Sequence, residues 1–355
     1  MKDVKAALQG QVESLVRELV PEGRRAGQIW SAKNPCRADR RAGSFVVWLR
    51  GEAAGAWKDY ATGEGGDLID LVCLANGLDR KEALAWAEDR LGWRKLSADE
   101  RRSLTREVRK RQSETREDDE HRRHVRIDRA RRWYASARPI AGTLGEAYFA
   151  WRGVPLDSIK HRHDFCRFLP SQEWWFGAEY EDGRKVRPGP RFPAIVSKMV
   201  NAHGWLQALH FTFLAPDGRG KAPVPDAGKA KLMWPETAGA AIWLTRGRGN
   251  RKPKTMIEQG LSAPAVVGEG IEDGLSSALA NPDERHMAAG SLPNLLHMPD
   301  YPWVNGWIVL KDNDWGKPQA QALFDRAAAR LGATGKPVIP VSSLAGKDFN
   351  EQLQE

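Results

Sequence analysis

The chain of 355 residues is long enough for two or three domains, and 41% of its residues are hydrophobic. No apolar run approaches the roughly 18 residues of a membrane span, so a soluble globular protein without a membrane partner is expected. The net charge of +9 favours a polyanionic partner, with a merely solvated basic surface as the alternative. Three cysteines, widely separated and odd in number, argue against a disulfide framework and favour a reducing cytoplasm.

The first 93 residues are predicted to form a small α+β module. A helix is expected over residues 1–22, where a proline and a glycine end it. The segment at 44–50 has the composition of a strand. Two helical patterns, at 67–77 and 80–92, each end at a glycine, as helix C-termini often do.

Residues 94–132 are rich in charge and hold almost no large apolar side chain. Such a segment could be a solvated helix, a flexible linker or a nucleic-acid-binding arm. Because no aromatic residues are interleaved with the charges, a linker is favoured over an arm. We assign the segment as a charged helical linker.

Two different sheet patterns follow the linker. Between residues 160 and 250, strand-like pieces alternate with turns, which predicts a mostly antiparallel sheet in an α+β domain at 133–254. From Ala265 onward the order is strand, helix, strand, helix, strand, which is typical of a parallel sheet covered by helices. The predicted fold class is therefore α/β, with the parallel sheet in a C-terminal domain at 255–355.

Charge is divided unevenly between these parts. Residues 255–355 hold 7 Lys+Arg and 13 Asp+Glu, a net of −6, which leaves +15 for residues 1–254. The acidic part could hold a metal cation and the basic part a phosphate backbone. Two basic loops before the acidic part supply candidate nucleotide- or DNA-binding residues, with a solvated loop as the alternative. These candidates are Arg219, Lys221, Lys229, Lys231, Arg246 and Arg248.

Acidic side chains follow two of the predicted C-terminal strands. Glu269 comes directly after the first strand, with Asp273 four residues later, and Asp312 and Asp314 follow the second. If the two strands are neighbours, these carboxylates converge outside the carboxyl ends of the sheet, with Asn313 turned away. Oxygen ligands of this kind suit Mg²⁺ or Mn²⁺. The alternative is that one group complements a helix N-terminus and the other forms a turn.

Three segments carry a family resemblance. They are "VVGEGIEDGLSSA" at 266–278, "WIVLKDNDWGKPQAQ" at 307–321 and "AGKDFNEQL" at 345–353. Together they resemble the Toprim domain of primases, topoisomerases and related nucleases, most closely in its phage and mobile-element forms. The resemblance implies that Glu269 is a catalytic acid/base and that Asp312 and Asp314 bind Mg²⁺. By position, Asp273 and Asp348 resemble further acidic residues near the metal site of the family.

Two upstream segments resemble other parts of phage-type Toprim primases. Residues 152–222 resemble the segment that precedes Toprim in those proteins, and residues 34–72 resemble their N-terminal zinc-binding module. A zinc ribbon needs four Cys or His ligands in pairs, whereas Cys36 has no such partner two to four residues away. We therefore expect a zinc-ribbon-like module that has lost its metal ligands, and no zinc.

The resemblance implies a DNA primase, a nucleotidyltransferase that makes short primers by Mg²⁺-dependent phosphoryl transfer in the replication of a phage or mobile element. It also implies a single-stranded DNA template, nucleoside triphosphates as substrates and a separate replicative helicase as partner. A Toprim nuclease that uses the same carboxylates is one alternative, and a non-catalytic DNA-binding replication accessory is another. The upstream segments favour the primase, and the intact Glu269, Asp312 and Asp314 argue against the accessory.

Overall fold

The computed structural model describes residues 2–37, 43–51, 53–60, 62, 64–181, 184–225, 230–313 and 317–355. The chain forms two compact units, unit 1 over residues 1–124 and unit 2 over residues 125–355. Among the described residues, none of the helices is both long and apolar enough to cross a membrane.

Unit 1 begins with two short helices, where the sequence predicts a single helix over 1–22. The helices are α1 (Lys2–Gln9) and α2 (Val12–Leu19). That prediction is wrong at Gly10, where the chain turns and the Gly10 amide bonds the Ala7 carbonyl at 3.2 Å. Glycine in a helix interior is unfavourable by about 1 kcal/mol relative to alanine, which makes this position a natural break. The apolar face of α2 is buried in the core of unit 1.

An antiparallel sheet and two capped helices complete the α+β module predicted for this region. The strands lie in the order β1-β2-β3-β4-β5. Asp67 and Asp79 cap the two helices, each accepting bonds from two backbone amides of the first turn, and this local chemistry explains why both starts are predictable. The elements are β1 (Arg24–Ala26), β2 (Ile29–Ala32), β3 (Phe45–Trp48), β4 (Trp57–Asp59), β5 (Gly65–Gly66), α3 (Leu68–Asn76) and α4 (Arg80–Arg90), with a 3-10 turn at Trp93–Lys95.

The charged segment after this module is one long helix, α5 (Ala98–Ser136). Few of its side chains are buried, so packing contributes little to its stability. Oppositely charged residues four positions apart support it instead, as in Glu107 with Arg111 at 2.6 Å and Asp118 with Arg122 at 2.5 Å. The boundary between the two units falls within α5.

Unit 2 starts with the predicted antiparallel sheet. Its central strand β10 pairs with β7, β11 and β13, and β11 pairs with β12, each time antiparallel. The elements are β6 (Arg138–Pro139), α6 (Leu144–Trp151), β7 (Cys166–Glu173), β8 (Glu179–Glu181), β9 (Arg184–Arg187), β10 (Arg191–Asn201), β11 (Leu206–Phe213), β12 (Lys231–Pro235) and β13 (Ala240–Trp243). Short 3-10 turns cover Leu156–Ser158, Trp175–Gly177 and Arg248–Asn250.

The parallel sheet predicted for the C-terminal part continues from β13 in the order β13-β15-β14-β16-β17. β14 pairs in parallel with both β15 and β16, and β16 with β17, which confirms the predicted α/β fold class. The short strand β15 is not predicted, because its four residues include the polar Arg285 and His286. The elements are α7 (Pro253–Glu258), β14 (Ala263–Gly268), α8 (Ile271–Ala280), β15 (Arg285–Ala288), α9 (Leu292–Leu295), β16 (Val304–Lys311), α10 (Pro318–Gly332), β17 (Val338–Ser342) and α11 (Phe349–Gln354).

Candidate active site

Two acidic residues follow two neighbouring parallel strands. β14 pairs with β16 so that Val267 lies opposite Val309. Glu269 comes directly after β14 and Asp312 directly after β16. Both side chains line one pocket, together with Lys311. Glu269 and Asp312 therefore face the same space at the carboxyl edge of the sheet, where ligands of parallel α/β sheets bind.

A third carboxylate, Asp273, is buried beside this edge in the first turn of α8. Burial raises its pKa to about 8, and the negative charges of Asp348 and Asp312 add to the rise. The Asn350 backbone amide donates to Asp273 Oδ1 at 3.1 Å, and this hydrogen bond lowers the pKa of Asp273. A Cβ at Gly270 would lie 2.2 Å from Asp273 Oδ2, so only glycine leaves room for this carboxylate. The acidic residues at this edge are thus close enough to repel one another.

The loop that carries Asp348 is tied to the end of β16 by Asn313. The Asn313 side-chain amide donates to Ser343 Oγ at 2.9 Å and to the Gly346 carbonyl at 3.0 Å. Asp348 caps α11 by accepting a bond from the Glu351 amide at 2.9 Å. The Asn313 contacts therefore position the Asp348 segment beside the carboxyl end of β16.

A buried ion cluster adjoins the acidic edge. Glu272 is 5% exposed and accepts a hydrogen bond from the Tyr148 hydroxyl at 2.7 Å. The Lys221 ammonium lies 3.6 Å from the same carboxylate oxygen. Burial opposes ionisation of Glu272, yet Lys231, Lys221 and the Tyr148 hydroxyl hold its pKa well below the usual range. Glu272 is thus an ionised carboxylate at neutral pH.

Lys231 connects this cluster to the acidic edge. Attraction to Glu272 raises the pKa of Lys231 in spite of burial, and Glu269 and Asp273 raise it further. Burial lowers the pKa of Lys221, against the attraction of Glu272. Next to them, burial and the charge of Lys231 lower the pKa of His210 to about 3. Two lysines and a neutral histidine therefore lie beside the carboxylates, an arrangement suited to a ligand with negative charge.

Family models match two segments of this chain. Residues 124–244 match a family described as a domain of unknown function, DUF7146, and residues 264–355 match the family described as the Toprim domain. The C-terminal segment is a Toprim domain. The matched range includes every candidate acidic residue, from Glu269 to Asp348. No curated protein matches the chain.

Several solved primase structures are similar to this chain. A structure of the zinc-binding and RNA polymerase domains of the Aquifex aeolicus primase is 16% identical, with a TM-score of 0.38, and covers 99% of this chain and 82% of its own. A DnaG primase catalytic domain bound to single-stranded DNA is 14% identical, with a TM-score of 0.41 and coverages of 66% and 75%. A DNA primase domain from Pseudomonas aeruginosa is 16% identical, with a TM-score of 0.41 and coverages of 64% and 74%.

The acidic side chains at this edge of the Toprim domain supply oxygen donors, which Mg²⁺ and Mn²⁺ prefer. Mutual repulsion among Asp273, Asp312 and Asp348 is the kind that a bound cation relieves. Within the described part of the chain, no three His, Cys, Asp or Glu side chains are grouped closely enough to hold a metal ion. Asp314 lies outside the described residues. The donor chemistry of the edge thus fits the metal, while the described side chains alone do not form a finished ligand set.

The predicted basic residues separate into two places. Lys221 and Lys231 lie beside the acidic edge of the Toprim domain, and Arg219 is exposed two residues before Lys221. Lys229 lies outside the described residues. Arg246 and Arg248 follow β13. Because β13 is antiparallel to β15, its carboxyl end lies beside the amino end of β15. These two arginines therefore belong to the edge of the sheet opposite the acidic residues. Arg246 and Arg248 are thus structurally separate from the lysine pair, Lys221 and Lys231.

Sequence reasoning missed Glu272, Tyr148 and His210. The pattern at the start of α8 assigns Glu272 only to a helix N-terminus, whereas its side chain turns inward and binds residues far away in sequence. Tyr148 lies 124 residues upstream of Glu272, and no local spacing connects the two. One sequence feature hints that Glu272 is buried. It belongs to a helix in which most other residues are small or apolar, and such a helix is expected to be buried.

Proposed function

We propose that this chain is a DNA primase-like nucleotidyltransferase that synthesises short primers on single-stranded DNA during replication of a phage or mobile element. The observation that carries the proposal is the shared pocket of Glu269 and Asp312 at the carboxyl edge of the Toprim domain. Asp273 is near enough to the other acidic residues for its pKa to rise. Carboxylates so arranged are typical of sites that bind a divalent cation and phosphate groups.

In this proposal Asp312 and Asp314 hold Mg²⁺, assisted by Asp273 and Asp348. When bound, the cation neutralises charge on the transferring phosphoryl group and favours ionisation of the attacking 3′-hydroxyl. Glu269 acts as the general base that accepts the hydroxyl proton, or as a further ligand. Its position directly after β14, in the same pocket as Asp312, supports either role.

The lysine pair is proposed to hold the triphosphate. Lys221 and Lys231 lie beside the carboxylates; Lys221 pairs with Glu272 at 3.6 Å, and the same carboxylate attracts Lys231. Arg219 and Lys229, from the same basic segment of the sequence, would contact the nucleotide or the template backbone. An ammonium group provides a point charge for a phosphate oxygen, which suits this role.

The remaining parts receive supporting roles. The α+β domain at 133–254 and the Toprim domain at 255–355 form the catalytic part, and the zinc-free module at 1–93 contacts single-stranded DNA. The segment at 94–132 links the two. A separate replicative helicase is the proposed partner, because the chain lacks the G-x-x-x-x-G-K-[ST] motif of a P-loop motor.

The test is a primer-synthesis assay with labelled nucleoside triphosphates, Mg²⁺ or Mn²⁺ and a single-stranded DNA template. Asp312→Asn is expected to abolish template-dependent oligomers, because it removes the carboxylate charge while keeping the side-chain shape. Asp325→Asn is the matched control: Asp325 lies on α10 of the same domain, exposed and bonded to Gln321 at 2.7 Å. The control is expected to retain full activity.

Other outcomes would replace the proposal. Shortened template without new oligomers, lost in Asp312→Asn, would identify a Toprim nuclease. Salt-sensitive DNA binding with neither synthesis nor cleavage would identify a non-catalytic replication accessory. Oligomers that persist in Asp312→Asn would show that the acidic edge of the Toprim domain is not the site of synthesis.

A further inference from the structure

A second charged cluster lies at the opposite edge of the parallel sheet. β13 pairs with β15 in antiparallel fashion, with Trp243 opposite Met287. Arg246 follows β13 and Arg285 begins β15, so both lie at the amino end of β15. The acidic residues of the Toprim domain follow the carboxyl ends of the parallel strands. Three residue steps of β15 separate the two edges, a span of about 10 Å.

Arg285 is buried among other cations. Its side chain is 4% exposed, its Nη2 donates to the Arg251 carbonyl at 2.6 Å, and its guanidinium lies 5.3 Å from the centre of the Trp303 ring. Burial, together with the charges of Arg246 and Arg251, lowers the pKa of Arg285 to about 10. Within the described part of the chain, no carboxylate pairs with Arg285. Buried arginines normally have such a partner, so a counter-charge is lacking here.

Arg246 has an unused hydrogen-bond donor. Its Nη1 donates to Asn250 Oδ1 at 3.1 Å, but its Nε is buried and has no partner among the described residues. The positive charge of Arg246 also reaches two neighbours. After burial, it is the largest cause that lowers the pKa of His163 to about 3, and it contributes to a lowered pKa at Lys198. Because Nε is buried, a ligand reaches Arg246 only through the outer nitrogens of its half-buried guanidinium.

The backbone holds these cations together. Gly247 has a φ of 64°, and a Cβ there would lie 2.7 Å from the Asp283 carbonyl oxygen and 3.0 Å from Arg285 Cγ. The turn after Arg246 is thus packed against Arg285 with no space for another side chain. The Arg285 bond to the Arg251 carbonyl fixes the far end of the same turn. Like charges are therefore kept close by tight packing rather than left free to separate.

Arg248, in the middle of the same turn, is different. Its Nη2 donates to Asp283 Oδ2 at 2.9 Å, and this pair is exposed. Its charge is already compensated within the chain. Arg248 thus differs from Arg285, which has no carboxylate partner among the described residues.

We propose that Arg246, Arg251 and Arg285 form a binding site for a backbone phosphate of a nucleic-acid strand. The phosphate would accept from the outer nitrogens of the half-buried Arg246 guanidinium, and its charge would offset the repulsion within the cluster. Exposed Arg251 would contact the phosphate, while buried Arg285 adds charge and holds the Arg251 backbone. The net charge of +15 over residues 1–254 favours a polyanion over an isolated anion. This site is separate from the proposed catalytic edge, and it requires no primer synthesis.

The test is binding of fluorescein-labelled oligo(dT) to the full chain, followed by fluorescence anisotropy in EDTA over a series of KCl concentrations. The double variant Arg246→Gln/Arg251→Gln is expected to weaken binding by about tenfold at physiological salt. The slope of log affinity against log salt should become shallower by about 0.7, the value for one lost contact to a single-stranded backbone phosphate. Arg187→Gln, which removes an exposed arginine paired with Glu179 at 3.0 Å, should change neither quantity. An equal loss in Arg187→Gln would overturn the proposal, because it would show only a general effect of charge.

A second measurement separates the site from misfolding and from free anions. Without DNA, the double variant should melt at a temperature no lower than the wild type, because it relieves repulsion between like charges. Arg251→Lys keeps the charge, so this variant should retain most of the DNA affinity. Inorganic phosphate should compete only weakly with oligo(dT). Inorganic phosphate could instead raise the melting temperature of the wild type and not that of the double variant, while the two proteins show the same slope of log DNA affinity against log salt. In that case the site binds free phosphate and the nucleic-acid assignment is wrong. The readouts are independent of catalysis, so failure of primer synthesis would not affect them.

Discussion

Glu272 is the residue whose environment departs most from its expected one. A carboxylate at the start of a helix is ordinarily exposed and complements the helix dipole. Here the side chain is 5% exposed and is bonded to Tyr148 and Lys221. Removing one member of a buried ion cluster leaves the other charges without compensation, which costs more than the pair itself contributes.

Glu272→Ala is therefore expected to lower the free energy of unfolding by about 3 to 5 kcal/mol, because Lys231 and Lys221 lose their counter-charge. Tyr148→Phe is the matched control, since it removes one hydrogen bond to the same carboxylate and should cost less, about 1.5 kcal/mol. Urea unfolding at neutral pH measures both values. Equal losses in the two variants would contradict an ionised Glu272 that holds the lysines.

Among the elements, the segment between β17 and α11 decides where Asp348 lies. This segment has no sheet pairing, and its position depends on bonds from Asn313 at the end of β16. Its backbone is also held at the Asn313 amide, which donates to the Lys347 carbonyl at 2.7 Å. The Gln352 and Glu351 side chains tie the segment to α11, so the Asn313 side chain is what ties it to the end of β16 together with one backbone bond.

Asn313→Ala is expected to destabilise the fold by about 1 to 3 kcal/mol, because partly buried acceptors lose their donor. Hydrogen exchange of the backbone amides between residues 343 and 348 should accelerate, and primer synthesis should fall as Asp348 loses its position. Asn305→Ala is the control, since Asn305 lies in β16, the strand that precedes Asn313, and makes an exposed bond to Ser262 Oγ at 3.2 Å. Unchanged exchange in Asn313→Ala would contradict the positioning role.

For unit 2 as a whole, stability should depend on pH through groups that burial keeps uncharged. Burial lowers the pKa of His163 and His210 to about 3 and that of His286 to about 4. The unfolded chain binds these protons below about pH 6.5, so each histidine makes the fold less stable as pH falls. Asp273 acts in the opposite direction, because its raised pKa means that the folded state takes up a proton as pH falls from about 8. Three groups against one leave a net uptake of nearly two protons on unfolding, which is a loss of about 2 kcal/mol per pH unit between about pH 6 and pH 5.

A single histidine variant tests this account by difference. His286→Gln should lose less stability between neutral pH and about pH 5 than the wild type does, by about 2 kcal/mol, because one proton uptake is removed. Chemical unfolding across this pH range measures the difference. His203→Gln is the control, since His203 is exposed in the fold. Parallel curves for the wild type and His286→Gln would contradict the buried neutral state of His286.

The sequence by itself determined the features that depend on near neighbours. The helices after Asp67 and Asp79 are predictable because each cap bonds amides within three residues. The alternation of strands and helices after Ala265 predicts the parallel sheet, and it places acidic residues directly after two of the strands. Glu269 and Asp312 were therefore identifiable as candidates without any coordinates.

Only the tertiary structure decided which of these features meet. The order of strands joins β14 to β16 and inserts the unpredicted β15 beside β14, and pairing between distant segments leaves no local trace in the sequence. That order brings Glu269 to Asp312 and places Arg246 at the far edge, although its basic loop resembles the one that holds Lys221. Glu272 meets Tyr148 across 124 residues for the same reason. Local chemistry fixes the elements, whereas burial and pairing between remote residues fix the sites.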